Sequence, residues 1–114
     1  MNTGFTIVKP DDDPVSRLRT SFPDLWDDLL TRADPDTPHL LYFAFADLLM
    51  ERRDDTDLWD RVYRFFDEIA EGRDGAAHDV LAEAFDRLCD SDMRDEVETH
   101  LGAAAKALYQ RSKL

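Results

Sequence analysis

Glycine, proline and cysteine are scarce in this sequence, and their scarcity excludes several architectures. The 114 residues include only 4 Gly and 5 Pro, too few turn-forming residues for a sandwich or barrel of many strands. The single cysteine, Cys89, has no second cysteine with which to form an internal disulfide. No apolar run approaches the roughly 18 residues of a membrane span, and the N-terminus lacks the pattern of a signal peptide. We therefore expect one cytoplasmic domain with a single hydrophobic core.

Positive charge is scarce as well. The chain has 26 acidic and 14 basic residues, which gives a net charge of -12. Residues 1–50 carry a net charge of -5, residues 51–100 carry -10 and residues 101–114 carry +3. Such a surface repels free nucleic acid and anionic membranes and attracts basic proteins. Solubility, or adaptation of the host to salt, is the alternative explanation of this acidity.

Helical periodicity is the main pattern that is present. Residues 1–13 are predicted to be a flexible arm, and residues 14–114 are predicted to form a single all-α domain. Apolar residues recur at helical spacing and predict about five helices, arranged as an irregular bundle or as a short stack of helical hairpins. A single helical turn around Val15–Phe22 is expected to precede the first of these helices.

Three of the predicted helices have distinctive features. Pro23 begins the first helix, whose predicted inner face consists of Leu25, Trp26, Leu29 and Leu30. The second helix begins at Thr37-Pro38 and is apolar on nearly every side over Leu40–Ala46, which predicts a central position. The last helix is predicted to begin at Ser91 and to continue through Gly102. Its predicted inner face consists of Met93, Val97, Leu101, Ala104 and Leu108.

The sequence contains no motif of an enzyme active site. It has no Gly-rich phosphate loop, no Gly-x-Ser-x-Gly elbow and no His-Glu-x-x-His pair. The histidines His39, His78 and His100 fall on three different predicted helices, and Cys89 is expected to pack as a small apolar residue. We therefore predict no catalytic residue, no bound metal and no cofactor.

The predicted helix over residues 75–90 carries a row of like charges. Asp79, Glu83, Asp86 and Asp90 follow one another at steps of four, three and four residues, so they share one helix face. These four residues are called the acidic ridge below. Neighbouring like charges at these spacings destabilise a helix slightly, and Arg87, four residues after Glu83, is expected to offset only part of this effect.

An unfavourable row of acids is understandable if a basic surface docks on it, and an acidic face that is simply solvated is the alternative. The acidic ridge is therefore the predicted contact surface for a partner. Other acids lie close enough in sequence to extend it, namely Glu71, Asp92, Asp95 and Glu96.

The order of several segments resembles a known kind of protein. The segments are Phe22-Pro23-Asp24-Leu25, the aromatic run Leu40–Phe45, Phe65–Ile69, Val80–Leu88 and Leu101–Leu108. Over roughly residues 20–110, this pattern is similar to that of small uncharacterised all-helical bacterial proteins that are thought to be immunity proteins of polymorphic toxin systems. The resemblance implies a helical protein that binds and inhibits a toxin, and it supplies no catalytic motif.

Three functional hypotheses follow. The first is a non-enzymatic inhibitor, an immunity protein whose acidic helical surface binds a basic protein such as a nuclease-type toxin. The second is an acidic nucleic-acid mimic or transcription-associated regulator that occupies a basic DNA-binding protein. The third, from a different class, is a small metal-binding or enzymatic domain built on carboxylates and histidines. This third hypothesis predicts that acids and histidines converge in one pocket.

Overall fold

The computed structural model describes residues 13–113, in which seven helices follow one another and no strand forms. The helices are α1 (Pro14–Ser21), α2 (Pro23–Arg32), α3 (Pro38–Glu51), α4 (Thr56–Glu71), α5 (Gly75–Cys89), α6 (Arg94–His100) and α7 (Ala103–Ser112). The predicted all-α fold is confirmed. None of these helices is long and apolar enough to cross a membrane. The predicted flexible arm lies outside the described residues, apart from Asp13, whose side chain caps the start of α1.

The prediction of about five helices is wrong for two reasons. First, α1 is a helix of 8 residues where only a turn was predicted, because Asp13 caps it and Pro14 occupies its first turn. Second, the predicted last helix is interrupted. Leu101 has φ -81° and ψ 145°, and Gly102 has φ -70° and ψ 174°, so both residues are extended and separate α6 from α7.

The interruption also changes which residues of the last helix face inward. Met93, Val97 and Leu101 are buried as predicted. Beyond the break, however, Ala105 and Tyr109 are fully buried, whereas Ala104 and Leu108 are only partly buried. The predicted face is therefore wrong by one position in α7, because the extended residues reset the helical phase.

The starts of α2 and α3 agree with the sequence. Pro23 and Pro38 occupy the first turns of α2 and α3, where a missing N–H breaks no helical hydrogen bond. Asp55 accepts a hydrogen bond from the Leu58 N–H at the start of α4. Ser91 lies further from its helix than predicted, since Met93 is the N-cap of α6 and the Ser91 hydroxyl accepts the Met93 N–H.

Aromatic rings connect the helices through the core. Phe22, between α1 and α2, lies 5.0 Å from Phe45 of α3, measured between ring centroids. Phe66 of α4 lies 6.4 Å from Phe45 and 5.2 Å from Phe85 of α5. Phe85 in turn lies 5.1 Å from Tyr109 of α7. All these pairs are tilted or edge-to-face, which is the favoured geometry for aromatic rings.

The central position predicted for α3 is confirmed, since half of its 14 residues are buried. Its buried residues are Leu41, Tyr42, Ala44, Phe45, Ala46, Leu48 and Leu49. The prediction for α2 was less accurate, because Leu25 and Leu29 are buried but Leu30 is 41% exposed. Trp26 of α2 is partly buried against the core.

Ion pairs join the helices at the surface. Arg32 of α2 forms a bidentate pair with Glu51 of α3, with N–O distances of 2.7 and 2.8 Å. Arg61 of α4 donates to Asp24 of α2 at 2.9 Å and to the Ser21 carbonyl at 2.9 Å. Hydrogen bonds from Arg61 hold the pKa of the Asp24 carboxyl below its ordinary value. These contacts fix the orientation of neighbouring helices around the apolar core.

Gly102 lies where the start of α7 closely approaches α4. Its N–H donates to the Asp67 carboxylate at 2.8 Å. A Cβ atom at this position would lie only 3.1 Å from that same carboxylate. A larger residue would therefore displace Asp67 and weaken the bond.

We expect Gly102→Ala to lower the free energy of unfolding by about 1 kcal/mol, the usual contribution of one hydrogen bond. Gly75→Ala is the matched control, because a Cβ at Gly75 would have no neighbour within 4 Å. This variant should have a free energy of unfolding about 0.5 kcal/mol higher, because alanine lowers the entropy of the unfolded state. Urea denaturation of the two variants measures both values. Equal effects of the two substitutions would contradict the role of Asp67.

We also expect Arg61→Met to raise the pKa of Asp24 toward its ordinary value of 3.8. Because pairing lowers the folded-state pKa, its contribution to stability is complete above the unfolded-state pKa and is lost as the pH falls through the folded-state pKa. An NMR pH titration of the Asp24 carboxyl measures the shift. Arg64→Met, one turn further along α4, should leave this pKa unchanged.

Candidate protein-binding surface

The acidic ridge lies on the outward side of α5. This helix begins at Asp74, whose carboxylate accepts the N–H groups of Ala76 and Ala77 at 3.0 and 3.3 Å. Its inward side consists of Ala77, Val80, Leu81, Ala84, Phe85, Leu88 and Cys89. Asp79, Asp86 and Asp90 are exposed and Glu83 is partly buried. The helical spacing therefore places the ridge on the face of α5 opposite the core.

The ridge carboxylates form no ion pair within the described part of the chain. No basic side chain of residues 13–113 lies within 4.0 Å of any of the four. Arg87, which the sequence placed beside Glu83, instead donates to Asp47 of α3 at 2.7 Å. The positive charge that was expected to reduce the repulsion along the ridge is therefore paired with α3 instead.

The C-terminal end of the ridge is electrostatically unfavourable for α5. Asp90 is the C-cap residue of this helix, and Asp86 lies one turn before it. The C-terminal end of a helix carries partial negative charge, which disfavours carboxylates. Asp86 and Asp90 also repel each other at this i, i+4 spacing.

A shallow groove follows one side of the ridge. It has a volume of about 270 Å³ and lies between α5 and α7. Asp79 and Asp86 line it from α5, while Leu108 and Arg111 line it from α7. The structure thus brings two ridge acids next to an apolar side chain and a basic one.

The other acids proposed as extensions of the ridge lie on different elements. Glu71 is the last residue of α4 and is exposed. Asp92 pairs with Arg53 at 3.1 Å, and Asp95 and Glu96 are exposed in the first turn of α6. Since Asp92 is already paired, it offers a partner less free charge than the ridge does.

Glu96 belongs to a second groove, between α4 and α6. The His100 ring stacks on Tyr63 with a centroid distance of 4.8 Å, and both residues line this groove with Arg53, Asp60 and Glu96. The Glu96 carbonyl accepts a hydrogen bond from His100 Nδ1 at 2.9 Å. Burial, with the charges of Glu96 and Asp60, raises the pKa of Tyr63 to about 12.

Of the remaining histidines, His78 lines the groove between α5 and α7 with Asp79 and Asp86. His39 is exposed on α3, and His78 Nε2 donates to the Ile69 carbonyl at 3.1 Å, which satisfies a carbonyl near the end of α4. Within residues 13–113, no group of three or more His, Cys, Asp or Glu side chains is arranged to hold a metal ion. Cys89 is buried as predicted, and burial raises the pKa of its thiol.

Sequence reasoning missed two exposed apolar residues on α3. Leu40 is 62% exposed and Phe43 is 39% exposed, although seven other apolar residues of this helix are buried. Asp47 marked the outward side in the sequence, because it is the only charged residue within the apolar run and lies one turn after Phe43. Trp59 of α4 is buried, and its Nε1 donates to the Arg52 carbonyl.

Comparisons with known proteins identify no relative. No family model matches the chain, and no match was found among curated proteins or solved structures. The function of the protein is therefore inferred from the geometry and the charge of its own residues.

We expect Asp90→Asn to raise the free energy of unfolding by about 0.5 kcal/mol, because it removes a negative charge from the C-terminal end of α5 and the repulsion from Asp86. Asp79→Asn is the matched control. Its carboxylate lies in the N-terminal half of the helix, so its loss should bring a smaller gain. Chemical denaturation at low salt measures both values. A lower stability of the Asp90→Asn variant would contradict the claim that Asp90 destabilises the C-terminal end of α5.

Proposed function

We propose that this protein is a non-enzymatic inhibitor that binds a basic protein through the acidic ridge of α5. The observation that carries the proposal is the alignment of four acids along one face of α5, where their charges are not used to join helices. Asp24, Asp47 and Glu51 pair with arginines and join helices. The four ridge acids share one face, and within residues 13–113 they have no such partner.

Electrostatics favours a basic partner for this surface. An exposed row of carboxylates on a chain of net charge -12 attracts a positively charged protein and accelerates their encounter. Because the ridge is solvent-exposed, this attraction weakens as salt screens the charges. The partner's own chemistry then decides what binding accomplishes.

A nuclease-type toxin is the partner class that we propose. A nuclease must hold phosphates, so its substrate groove is lined with Lys and Arg. A helix that presents carboxylates to this groove competes with the nucleic acid for the same basic side chains. The sequence pattern over roughly residues 20–110, similar to that of small helical bacterial proteins thought to be immunity proteins, predicts the same partner class.

The first experiment is capture of the partner by the tagged full chain from an extract of the producing organism, at low and at moderate salt, with identification by mass spectrometry. We expect one stoichiometric basic protein with a toxin-like nuclease activity that the chain inhibits. A captured DNA-binding regulator would favour the nucleic-acid mimic instead. The absence of any partner at both salt concentrations would count against every binding hypothesis.

We expect the reversal of all four ridge acids, Asp79, Glu83, Asp86 and Asp90, to Lys to abolish capture of this partner while the fold is retained. The reason is that the variant replaces the attractive surface with a repulsive one without touching the core. Circular dichroism checks the fold, and calorimetric titration measures the affinity.

The matched control changes the net charge equally but elsewhere. It reverses four exposed acids outside the ridge to Lys, namely Asp27, Asp36, Asp54 and Asp57. This control should bind with an affinity much closer to that of the unmodified chain. Equal losses in the two variants would mean that only net charge matters and that the ridge is not the contact surface.

A further inference from the structure

An apolar strip lies on the exposed side of α3. Leu40 and Phe43 are three residues apart, so they share one face of the helix, and both are exposed. A solvated helix face usually carries charged or polar residues at such positions. These two residues are called the apolar strip below.

The ring of Phe43 is held by its neighbours. The Arg87 guanidinium lies 5.8 Å from the ring centroid, within the range of a cation–π contact. Arg87 is itself fixed by its 2.7 Å bond to Asp47, one turn after Phe43 on the same helix. Since both charges of this pair are satisfied, the ring is positioned against a locally neutral surface.

The same arginine links the apolar strip to the acidic ridge. Arg87 follows Glu83 by four residues and precedes Asp90 by three, so all three residues are neighbours on the surface of α5. Its guanidinium reaches Phe43 on α3. The Arg87 side chain therefore extends from the face of α5 that carries Glu83 and Asp90 to the exposed ring of Phe43.

We propose that Leu40 and Phe43 are the apolar anchor of the same docking surface, and that the occupant is a basic protein with an apolar pocket bordered by Lys or Arg. This proposal rests on the proposed function. It adds the apolar contact that determines the affinity for the basic partner. A few aromatic anchors carry most of the binding energy of an interface, while charged residues around them mainly steer the encounter.

Charge complementarity argues against a second copy of this chain as the occupant. Two copies joined through α3 would bring two acidic ridges close together on molecules of net charge -12. Like charges opposed across an interface disfavour association. A basic partner instead places its Lys and Arg against the ridge while its pocket receives Phe43.

Two synthetic helical peptides of equal length and equal positive charge are suitable probes for the full chain. One carries Lys with a strip of Leu, and the other carries Lys with Gln in place of Leu. We expect the Lys/Leu peptide to bind more tightly and to shift the NMR signals of Leu40 and Phe43. Both peptides should lose affinity for the variant with the reversed ridge.

Phe43→Ser should weaken binding of the Lys/Leu peptide by about tenfold or more, as loss of an interface anchor does. The affinity of the Lys/Gln peptide should not change. Leu40→Ser is a second variant with the same expectation and a smaller effect. Tyr63→Ser is the control, since it removes a partly exposed aromatic ring on the other groove. Circular dichroism and thermal melting verify that each variant is folded.

The outcomes separate the two proposals. If both peptides bind equally and Phe43→Ser changes nothing, the apolar anchor is wrong while the acidic ridge remains supported. If the reversed ridge binds both peptides as well as the unmodified chain does, the electrostatic contact of the proposed function is wrong. If sedimentation shows a dimer that Phe43→Ser converts to a monomer, the strip binds a second copy and the proposed occupant is wrong.

Discussion

The arrangement of the described helices depends on edge-to-face contacts between buried aromatic rings. Phe66 is central to them, because it contacts Phe45 on one side and Phe85 on the other. Through these rings α4 is fixed against α3 and α5, and Tyr109 extends the contacts to α7. The two buried tyrosines also satisfy their hydroxyl groups, since Tyr42 donates to the Pro14 carbonyl and Tyr109 donates to the Arg94 carbonyl. Each tyrosine thus ties a neighbouring segment to the same core.

This core leaves the charged residues at the surface. Within residues 13–113 no charged residue is buried, so stability comes from apolar packing, which charge substitutions outside the core do not disturb. Some surface charges nevertheless position helices, as Arg87 and Asp47 do between α5 and α3. Charged residues therefore fall into two groups. Some join helices, whereas others, such as Asp79, form no ion pair within the described chain.

Local features of the fold were predictable, whereas the choice among alternative partners was not. Periodicity identified the central helix α3, and the step of four, three and four residues placed the ridge on one face of α5. The break at Leu101 and Gly102 was missed, because it depends on Asp67 of α4, which accepts the Gly102 N–H from another part of the chain. The pairing of Arg87 was missed for the same reason. Its spacing from Glu83 is a local property, but Asp47 becomes its neighbour only when α3 and α5 pack together.

The isolation of the acidic ridge from the rest of the fold has an evolutionary consequence. Residues that hold a fold together are replaced only at a cost in stability, whereas surface residues without such contacts usually tolerate substitution. Asp79 and Asp86 can therefore change identity during divergence while the aromatic core remains intact. A lineage that faces a series of different partners would retain one scaffold and vary this face, so related chains would be expected to differ most where this one is most acidic.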